Sequence, residues 1–214
     1  MKKILIFSAG PAGREVYQLI EEINKKKRVW KVIGYVDEKL SSKIKTLDKL
    51  KVFSQKNKPV GKNLYAITGM MSPSLREKIF EKEIKKNKYK IPNLIHPNIH
   101  IPPCLKLGIG NIIFNNVHIS FEVKLSNYSV VSNFCDIGHN LCAQDFLTIM
   151  PSVSIGGNCT IEKKVLIGSG AKILQNLKIE ENCKIGIGST LTSNLLKNSS
   201  VIDYQRKVIK KNES

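Results

Sequence analysis

Aliphatic residues return at every sixth position through the C-terminal half of the chain. From Ile101 to Leu191 all sixteen such positions are aliphatic, and eleven of them are isoleucine. A period of six fits neither an α-helix nor a simple strand alternation, but it fits a coil whose turns have three flat faces of six residues. The pattern predicts a triangular prism over residues 96–200. Its aliphatic side chains point inward, and Gly, Ser and Asn take the corners, where φ is often positive.

The first 95 residues follow another pattern, in which apolar runs alternate with amphipathic segments. One helix is predicted after the turn Gly10-Pro11-Ala12-Gly13, and another from the cap Ser72-Pro73 to about residue 87. Four apolar runs predict buried strands: residues 2–8, 32–38, 64–68 and 90–95. This order predicts a small α/β, Rossmann-like βαβ domain over residues 1–95. The prism follows it, and residues 201–214 form a C-terminal tail.

Composition narrows the class of protein. The 35 basic and 17 acidic residues give a formal charge of +18, which fits either an anionic partner or lysines spread over exposed faces. The second interpretation, lysines spread over exposed faces, is favoured, because the lysines do not interleave with aromatic residues as a nucleic-acid groove would require. No apolar run is long enough for a membrane span, and the apolar part of "MKKILIFSAG" is too short for a signal peptide. We therefore expect a cytoplasmic protein.

The cysteines and most histidines are not expected to bind a metal. The five cysteines form no CxxC pair. Cys135, Cys159 and Cys183 are spaced by a multiple of six and should fill the prism core. His96 and His100 have HxxxH spacing, but Pro97 argues against a helix that would carry ligands. No metal is therefore predicted.

Taken together, these features resemble the bacterial sugar acetyltransferases that include the bacillosamine and perosamine N-acetyltransferases and the sialic acid O-acetyltransferases. The resemblance covers almost the whole chain. The stretches that carry it are residues 6–16 (IFSAGPAGREV), 35–38 (YVDE), 66–69 (AITG), 93–97 (NLIHP) and 137–161. It implies that the prism is a left-handed β-helix and that the protein is a homotrimer. It also implies that acetyl-CoA binds between neighbouring prisms and that the sugar bridges the small domain and the prism.

By this resemblance the catalytic histidine is His139. Histidine accepts a proton near neutral pH, which an attacking amine or hydroxyl requires. His139 stands two residues after the inward Ile137, so its ring is expected at a corner, pointing out of the prism. The expected reaction is direct attack by a nucleotide-linked sugar on the acetyl thioester, with His139 as general base.

The resemblance implies further site residues and also shows three departures. Asn140 replaces an acidic residue next to the histidine, Thr148 replaces a second histidine that contacts the coenzyme, and residues 203–206 (DYQR) replace a Gly-x-Pro-Ala segment. Asp136 and Asp145 are candidate substitutes for the missing carboxylate. The implied coenzyme contacts are Thr148, Gly157, Ser169 and Ile187. The implied substrate contacts are Gly10, Pro11, Ala12, Asp37, Glu38 and Gly69.

Two alternatives to N-acetylation stay open. An O-acetyltransferase for a sialic-acid-like sugar would need the same base, because amine and hydroxyl both lose a proton. A catalytically silent trimeric scaffold is favoured by the three departures from the family pattern.

Overall fold

The computed structural model of the protein describes residues 1–202. The segment 203–206 that departs from the family pattern lies outside the described residues, as does most of the predicted tail. Within residues 1–202 the chain forms an α/β domain followed by a parallel β-prism. The elements of the first domain are β1 (Lys2–Phe7), α1 (Pro11–Lys26), β2 (Trp30–Val36), α2 (Glu38–Ser41), β3 (Thr46–Leu47), β4 (Leu50–Phe53), β5 (Tyr65–Thr68) and α3 (Pro73–Ile79). A π-helical turn (Phe80–Lys85) continues α3.

The first domain is built around a sheet of order β3-β4-β2-β1-β5. Its strands pair in parallel except at the β3–β4 hairpin. The central strand β1 is fully buried over Ile4, Leu5 and Ile6, as its continuous apolar run predicted. Three predicted strands and both predicted helices are confirmed, with small shifts of their ends. Helix α2 and the β3–β4 hairpin were not predicted, because elements this short carry too little periodicity.

The fourth predicted strand, residues 90–95, is wrong as a single element. Lys90 makes only an isolated bridge to Tyr65, whereas Leu94–Ile95 pairs with Ile112–Ile113 of the prism. Pro92 separates the two parts, because proline cannot donate a ladder hydrogen bond.

The prism has three flat faces, each a stack of parallel two-residue strands that recur every eighteen residues, except that β22 follows β20 after sixteen. Face 1 holds β6 (Leu94–Ile95), β8 (Ile112–Ile113), β11 (Val130–Val131), β14 (Thr148–Ile149), β17 (Leu166–Ile167), β20 (Lys184–Ile185) and β22 (Ser200–Val201). Face 2 holds β9 (His118–Ile119), β12 (Asp136–Ile137), β15 (Ser154–Ile155), β18 (Lys172–Ile173) and β21 (Thr190–Leu191). Face 3 holds β7 (Lys106–Leu107), β10 (Lys124–Leu125), β13 (Cys142–Ala143), β16 (Thr160–Ile161) and β19 (Lys178–Ile179).

The predicted core is confirmed from Ile113 to Leu191, where every sixth residue is buried. Cys135, Cys159 and Cys183 fill this core as predicted. Ile101, the first of the series, is instead 44% exposed, because residues 96–104 precede the first complete turn of the prism and form no strand.

The corners differ from the prediction in detail. Positive φ falls three residues after the inward aliphatic, often at asparagine, as at Asn140, Asn158 and Asn176. Gly138, expected at such a corner, does not have positive φ. It is needed for close packing instead, because a β-carbon there would lie 2.6 Å from the carbonyl oxygen of Ile155 in the next turn.

The small domain packs on face 1. The outward side chains of Leu94, Ile112 and Val130 on this face are buried in one cluster with residues of α1 and β1. Arg76 of α3 reaches into this interface and is 1% exposed. Its guanidinium donates to five carbonyl oxygens, on Met70, Met71, Tyr128, Phe146 and Leu147. The last three belong to the prism, so Arg76 joins the two domains.

Candidate active site

His139 lies at the corner between faces 2 and 3, two residues after β12. One turn earlier, Phe121 stacks on its ring with centroids 5.2 Å apart and planes inclined by 7°. One turn later, Gly157 faces the ring from the other side, and a β-carbon at Gly157 would overlap the imidazole. The eighteen-residue repeat therefore holds the ring between an aromatic face and a glycine. As predicted, the ring lies outside the prism core.

One ring nitrogen of His139 is unusual. Nδ1 is buried and has no hydrogen-bond partner within residues 1–202. In a neutral imidazole that acts as a base at Nε2, Nδ1 carries the proton and needs an acceptor. Nδ1 in this tautomer therefore needs an acceptor, and none of residues 1–202 supplies one.

Asn140 does not supply that group in this structure. The residue is exposed, has φ of 56°, and its backbone N–H donates to the Phe121 carbonyl at 3.0 Å. Asparagine is among the few residues that tolerate left-handed backbone, so the corner itself accounts for its presence.

The two candidate substitute carboxylates are engaged elsewhere. Asp136 Oδ1 lies 2.7 Å from His118 Nδ1 on face 2, where both side chains are largely exposed. Asp145 Oδ1 accepts from the backbone N–H of Asn127 at 2.8 Å and from its side-chain amide at 3.1 Å. Neither carboxylate is bonded to His139.

The four implied coenzyme contacts are spread over three places. Gly157 lies against His139, as described. Ser169 and Ile187 follow face 1 strands, at the corner between faces 1 and 2, so face 2 separates them from His139. Thr148 is a correction. It is fully buried on face 1, and its hydroxyl donates to the Met71 carbonyl at 2.8 Å, so its side chain joins the domains and is not open to a coenzyme.

The implied substrate contacts also divide into two groups. Gly10 is the N-cap of the sixteen-residue helix α1, and Pro11 is its first residue. With Ala12 they form the partly exposed first turn. Pro11 has no N–H and the Gly10 N–H donates to the Ser8 hydroxyl, so the Ala12 N–H is the one of the three that suits an anion. Ser8, just before this turn, has φ of 101°, a conformation that non-glycine residues rarely adopt.

Asp37, Glu38 and Gly69 each have a role within the chain, although Glu38 is exposed. Asp37 accepts from the backbone N–H of Ala9 and of Leu40, each at 3.0 Å, and so caps α2. Glu38 accepts from the Gln55 N–H at 2.8 Å. Gly69 is buried, and a β-carbon there would collide with the backbone of Gly13. These three residues hold the loops around the α1 N-terminus in place.

A groove lies between the two domains, where the resemblance places the sugar, but its lining residues were not predicted. It has a volume of about 620 Å³ and lies between α1 and the prism corner that joins faces 1 and 2. Its polar lining includes Glu15, Gln18, Glu22, His96, Asn115 and Asn133. Burial lowers the pKa of His96. The available signal was the apolar outward residue at three of four positions spaced by eighteen, Ile112, Val130 and Leu166, with Thr148 as the exception, which marks face 1 as the covered face.

Residues 1–202 contain neither a cluster of metal-ligating side chains nor a helix that could span a membrane. No group of three or more His, Cys, Asp or Glu side chains is placed to hold a metal ion. None of the helices in this part of the chain has the length and apolarity required to cross a membrane.

Together the two domains define a fold class, a Rossmann-like domain followed by a left-handed parallel β-helix, as predicted. No protein-family model and no curated protein matches the sequence. Solved structures do match over nearly the whole chain. One is a histidine-to-asparagine mutant of perosamine N-acetyltransferase from Caulobacter crescentus, in complex with CoA and GDP-perosamine. It has a TM-score of 0.82 and 15% identity, and the match covers 98% of this chain and 97% of that one.

Two others are similarly close in fold. The acetyltransferase domain of PglB from Neisseria gonorrhoeae, in complex with acetyl coenzyme A, has a TM-score of 0.81 and 18% identity, with 93% of this chain and 95% of that one covered. WeeI from Acinetobacter baumannii has a TM-score of 0.81 and 20% identity, with coverage of 94% and 96%. Two of these three structures are acetyltransferases by name, and one of them is a perosamine N-acetyltransferase, which belongs to the group that the sequence motifs indicated.

Proposed function

We propose that this protein is an acetyl-CoA-dependent N-acetyltransferase that acts on the amino group of a nucleotide-linked sugar in surface glycan or glycoprotein synthesis. The observation that carries the proposal is the ring of His139, fixed at an outward corner between Phe121 and Gly157. It is supported by the fold, which the chain shares from end to end with a perosamine N-acetyltransferase solved with CoA and GDP-perosamine.

In the proposed reaction the sugar amine attacks the thioester carbonyl of acetyl-CoA. An N–C bond forms, the C–S bond breaks, His139 takes the proton lost by the amine, and CoA leaves as its thiol once the sulfur is protonated. A positioned base contributes on the order of 10²–10⁴-fold, and orientation of the two substrates contributes much of the remainder. Phe121 and Gly157 fix the ring, and the side-chain oxygen of Asn140 is the proposed acceptor for the Nδ1 proton.

The acceptor sugar is proposed to lie in the groove between the domains, where His139 of a neighbouring copy would act on it, because face 2 separates this groove from the His139 of the same chain. Glu15 and Glu22 suit the ammonium form of an amino sugar, and the amides of Gln18, Asn115 and Asn133 suit its hydroxyls. The first turn of α1, at Gly10, Pro11 and Ala12, is oriented to receive phosphate oxygens of the nucleotide.

The proposed assembly is a homotrimer in the cytoplasm, with acetyl-CoA between neighbouring prisms. Phe121 beside His139 is 55% exposed, and Ile187 is 79% exposed, which supports coverage of these corners by a partner copy or a ligand.

Release of CoA thiol tests the reaction class. The protein is incubated with acetyl-CoA and UDP-, dTDP- or GDP-linked 4-amino sugars, and in parallel with a sialic-acid-like sugar. Thiol release with an amino sugar supports the proposal. Release only with the hydroxyl acceptor establishes the O-acetyltransferase instead. If no acceptor causes thiol release while the protein still binds nucleotide sugar, the silent scaffold is favoured. The burial of Thr148 is consistent with that alternative.

A further inference from the structure

A second cavity lies on face 3, beside the candidate base. It has a volume of about 390 Å³. Asn140, the residue after His139, forms one end of it. The rest of the polar wall consists of Cys104, Lys106, Glu122, Lys124 and Cys142. None of the expected substrate or coenzyme contacts lies in this cavity.

The two lysines of this cavity repel each other without compensation. Lys106 and Lys124 occupy the same position on adjacent parallel strands, in direct register, with backbones roughly 4.8 Å apart. Like charges directly opposite each other are destabilising. Within residues 1–202 neither ammonium group makes an ion pair, and Glu122, although it shares the wall, pairs with neither.

A third lysine occupies the same outward position in the column of strands that forms face 3, and it shows that a lysine on this face can form ion pairs with carboxylates. Lys178, at the equivalent position of β19, has Glu162 at 3.1 Å and Glu180 at 3.2 Å. Lys178 is thus paired with carboxylates outside the cavity, whereas Lys106 and Lys124 are paired with none, and the one carboxylate of the cavity wall, Glu122, bonds to neither. An anion between Lys106 and Lys124 would remove the repulsion and form charge-assisted hydrogen bonds with both.

We propose that this cavity is a phosphate-binding subsite, in which Lys106 and Lys124 hold a phosphate group of a substrate beside His139. The diphosphate of a sugar nucleotide and the phosphates of acetyl-CoA share this chemistry. Assigning the group to one of these two substrates rests on the proposed function, but the existence of the site does not.

The cysteines of the chain provide a direct reporter. Cys104 and Cys142 are exposed and line the cavity, whereas Cys135, Cys159 and Cys183 are buried. Burial also raises the pKa of the Cys135 and Cys159 thiols, which slows their alkylation further. N-Ethylmaleimide labelling of the native protein, followed by intact mass, therefore reports on this cavity. The variants Cys104→Ser and Cys142→Ser assign the two sites.

Labelling is measured alone and with UDP, GDP or acetyl-CoA, which has no free thiol. At a ligand concentration about ten times its Kd, labelling should slow about tenfold, because only the free protein reacts. Protection by UDP or GDP assigns the site to the nucleotide, and protection by acetyl-CoA assigns it to the coenzyme. If none of the three protects either thiol at millimolar concentration, the proposal is overturned.

The double variant Lys106→Gln/Lys124→Gln shows whether the lysines hold the ligand. It should raise the concentration for half-protection by roughly tenfold or more. The matched control Lys172→Gln/Lys184→Gln removes the same charge at exposed positions of faces 2 and 1 and should change it little. If both double variants raise the concentration for half-protection equally, the effect is due to net charge in general, and the proposed phosphate site is contradicted. Protection without acetyl transfer would refute the proposed function alone, and transfer without protection would refute this site alone.

Discussion

The backbone of Gly157 lies so close to the ring of His139 that any β-carbon on Gly157 would overlap the imidazole. The two residues are one prism turn apart, and Phe121, one turn before His139, closes the ring from the opposite side at 5.2 Å. The position of the His139 ring is thus fixed by its two neighbouring turns, because Gly157 has no side chain to displace the ring and Phe121 stacks on it. A single methyl group added at Gly157 therefore tests whether this position matters.

Gly157→Ala should lower kcat for acetyl transfer by roughly 10²-fold, since a displacement of about 1 Å at a reacting group is enough for such a loss. Gly61→Ala is the matched control, because a β-carbon there would have its nearest neighbour 4.0 Å away. Initial rates and thermal unfolding of both variants are compared with the unsubstituted protein. Full activity in Gly157→Ala would show that the ring position is not needed.

Arg76→Leu should destabilise the protein by roughly 3–5 kcal/mol, because buried carbonyl oxygens on both domains lose their donor. Burial lowers the pKa of Arg76 to about 9, which still leaves it protonated at neutral pH. Denaturant unfolding measures the loss. Arg14→Leu removes an arginine that is exposed and bonded to Asp48, so its effect should be much smaller. Equal effects would show that the five carbonyl contacts of Arg76 are not the cause.

Ser8→Gly should stabilise the small domain by about 1 kcal/mol. Its φ of 101° is costly for serine and free of strain for glycine. The change also removes a weak bond of 3.3 Å from the Gly10 N–H to the Ser8 hydroxyl. Ser8→Ala separates the two effects, since alanine loses the bond and keeps the strain, so that variant should be less stable. If Ser8→Gly also lowers the melting temperature, the argument from backbone strain is contradicted.

The pH dependence of stability should include a contribution from Asp48. Its hydrogen bonds from Arg14, at 2.8 and 2.9 Å, and from the Tyr35 hydroxyl, at 3.0 Å, lower the pKa of the Asp48 carboxyl below its ordinary value of 3.8. A carboxyl with a depressed pKa stabilises the folded protein above its unfolded pKa and loses this effect as the pH falls through the folded pKa.

Asp48→Asn should therefore be less stable than the unsubstituted protein at neutral pH, and the difference should shrink as the pH falls below about 3.8. Asparagine tolerates the positive φ of 51° at this turn, so the backbone is kept. Urea unfolding at a series of pH values provides the measurement. A difference that does not change with pH would mean that the charge of Asp48 has no part in it.

The prism was predictable because a buried aliphatic at every sixth position is a strict requirement of the fold. The corners were less so: any of Gly, Ser and Asn can turn a chain, and only the structure shows that positive φ falls at Asn140 and not at Gly138. The short hairpin β3–β4 was not predicted because strands of two and four residues carry too little periodicity to recognise.

Side-chain roles were harder to predict than the fold. Thr148 occupies the position of a coenzyme-binding histidine in the family pattern, yet the docking of the small domain on face 1 buries it. Arg76 was missed for the same reason, since an arginine in an amphipathic helix is usually solvated and only tertiary contact buries it. Asp37 was expected to contact the substrate, but its carboxylate caps the N-terminus of α2. Such roles depend on which surfaces meet, and no local pattern records that.

The most direct test of the proposed activity compares the protein with His139→Ala, using acetyl-CoA and a nucleotide-linked 4-amino sugar and detecting the acetylated sugar by mass spectrometry. We predict that the unsubstituted protein forms the N-acetylated product and that His139→Ala forms it on the order of 10²–10⁴-fold more slowly, with its thermal stability retained. Equal rates for the two proteins would contradict the role of His139. Absence of product in both would contradict the proposed activity.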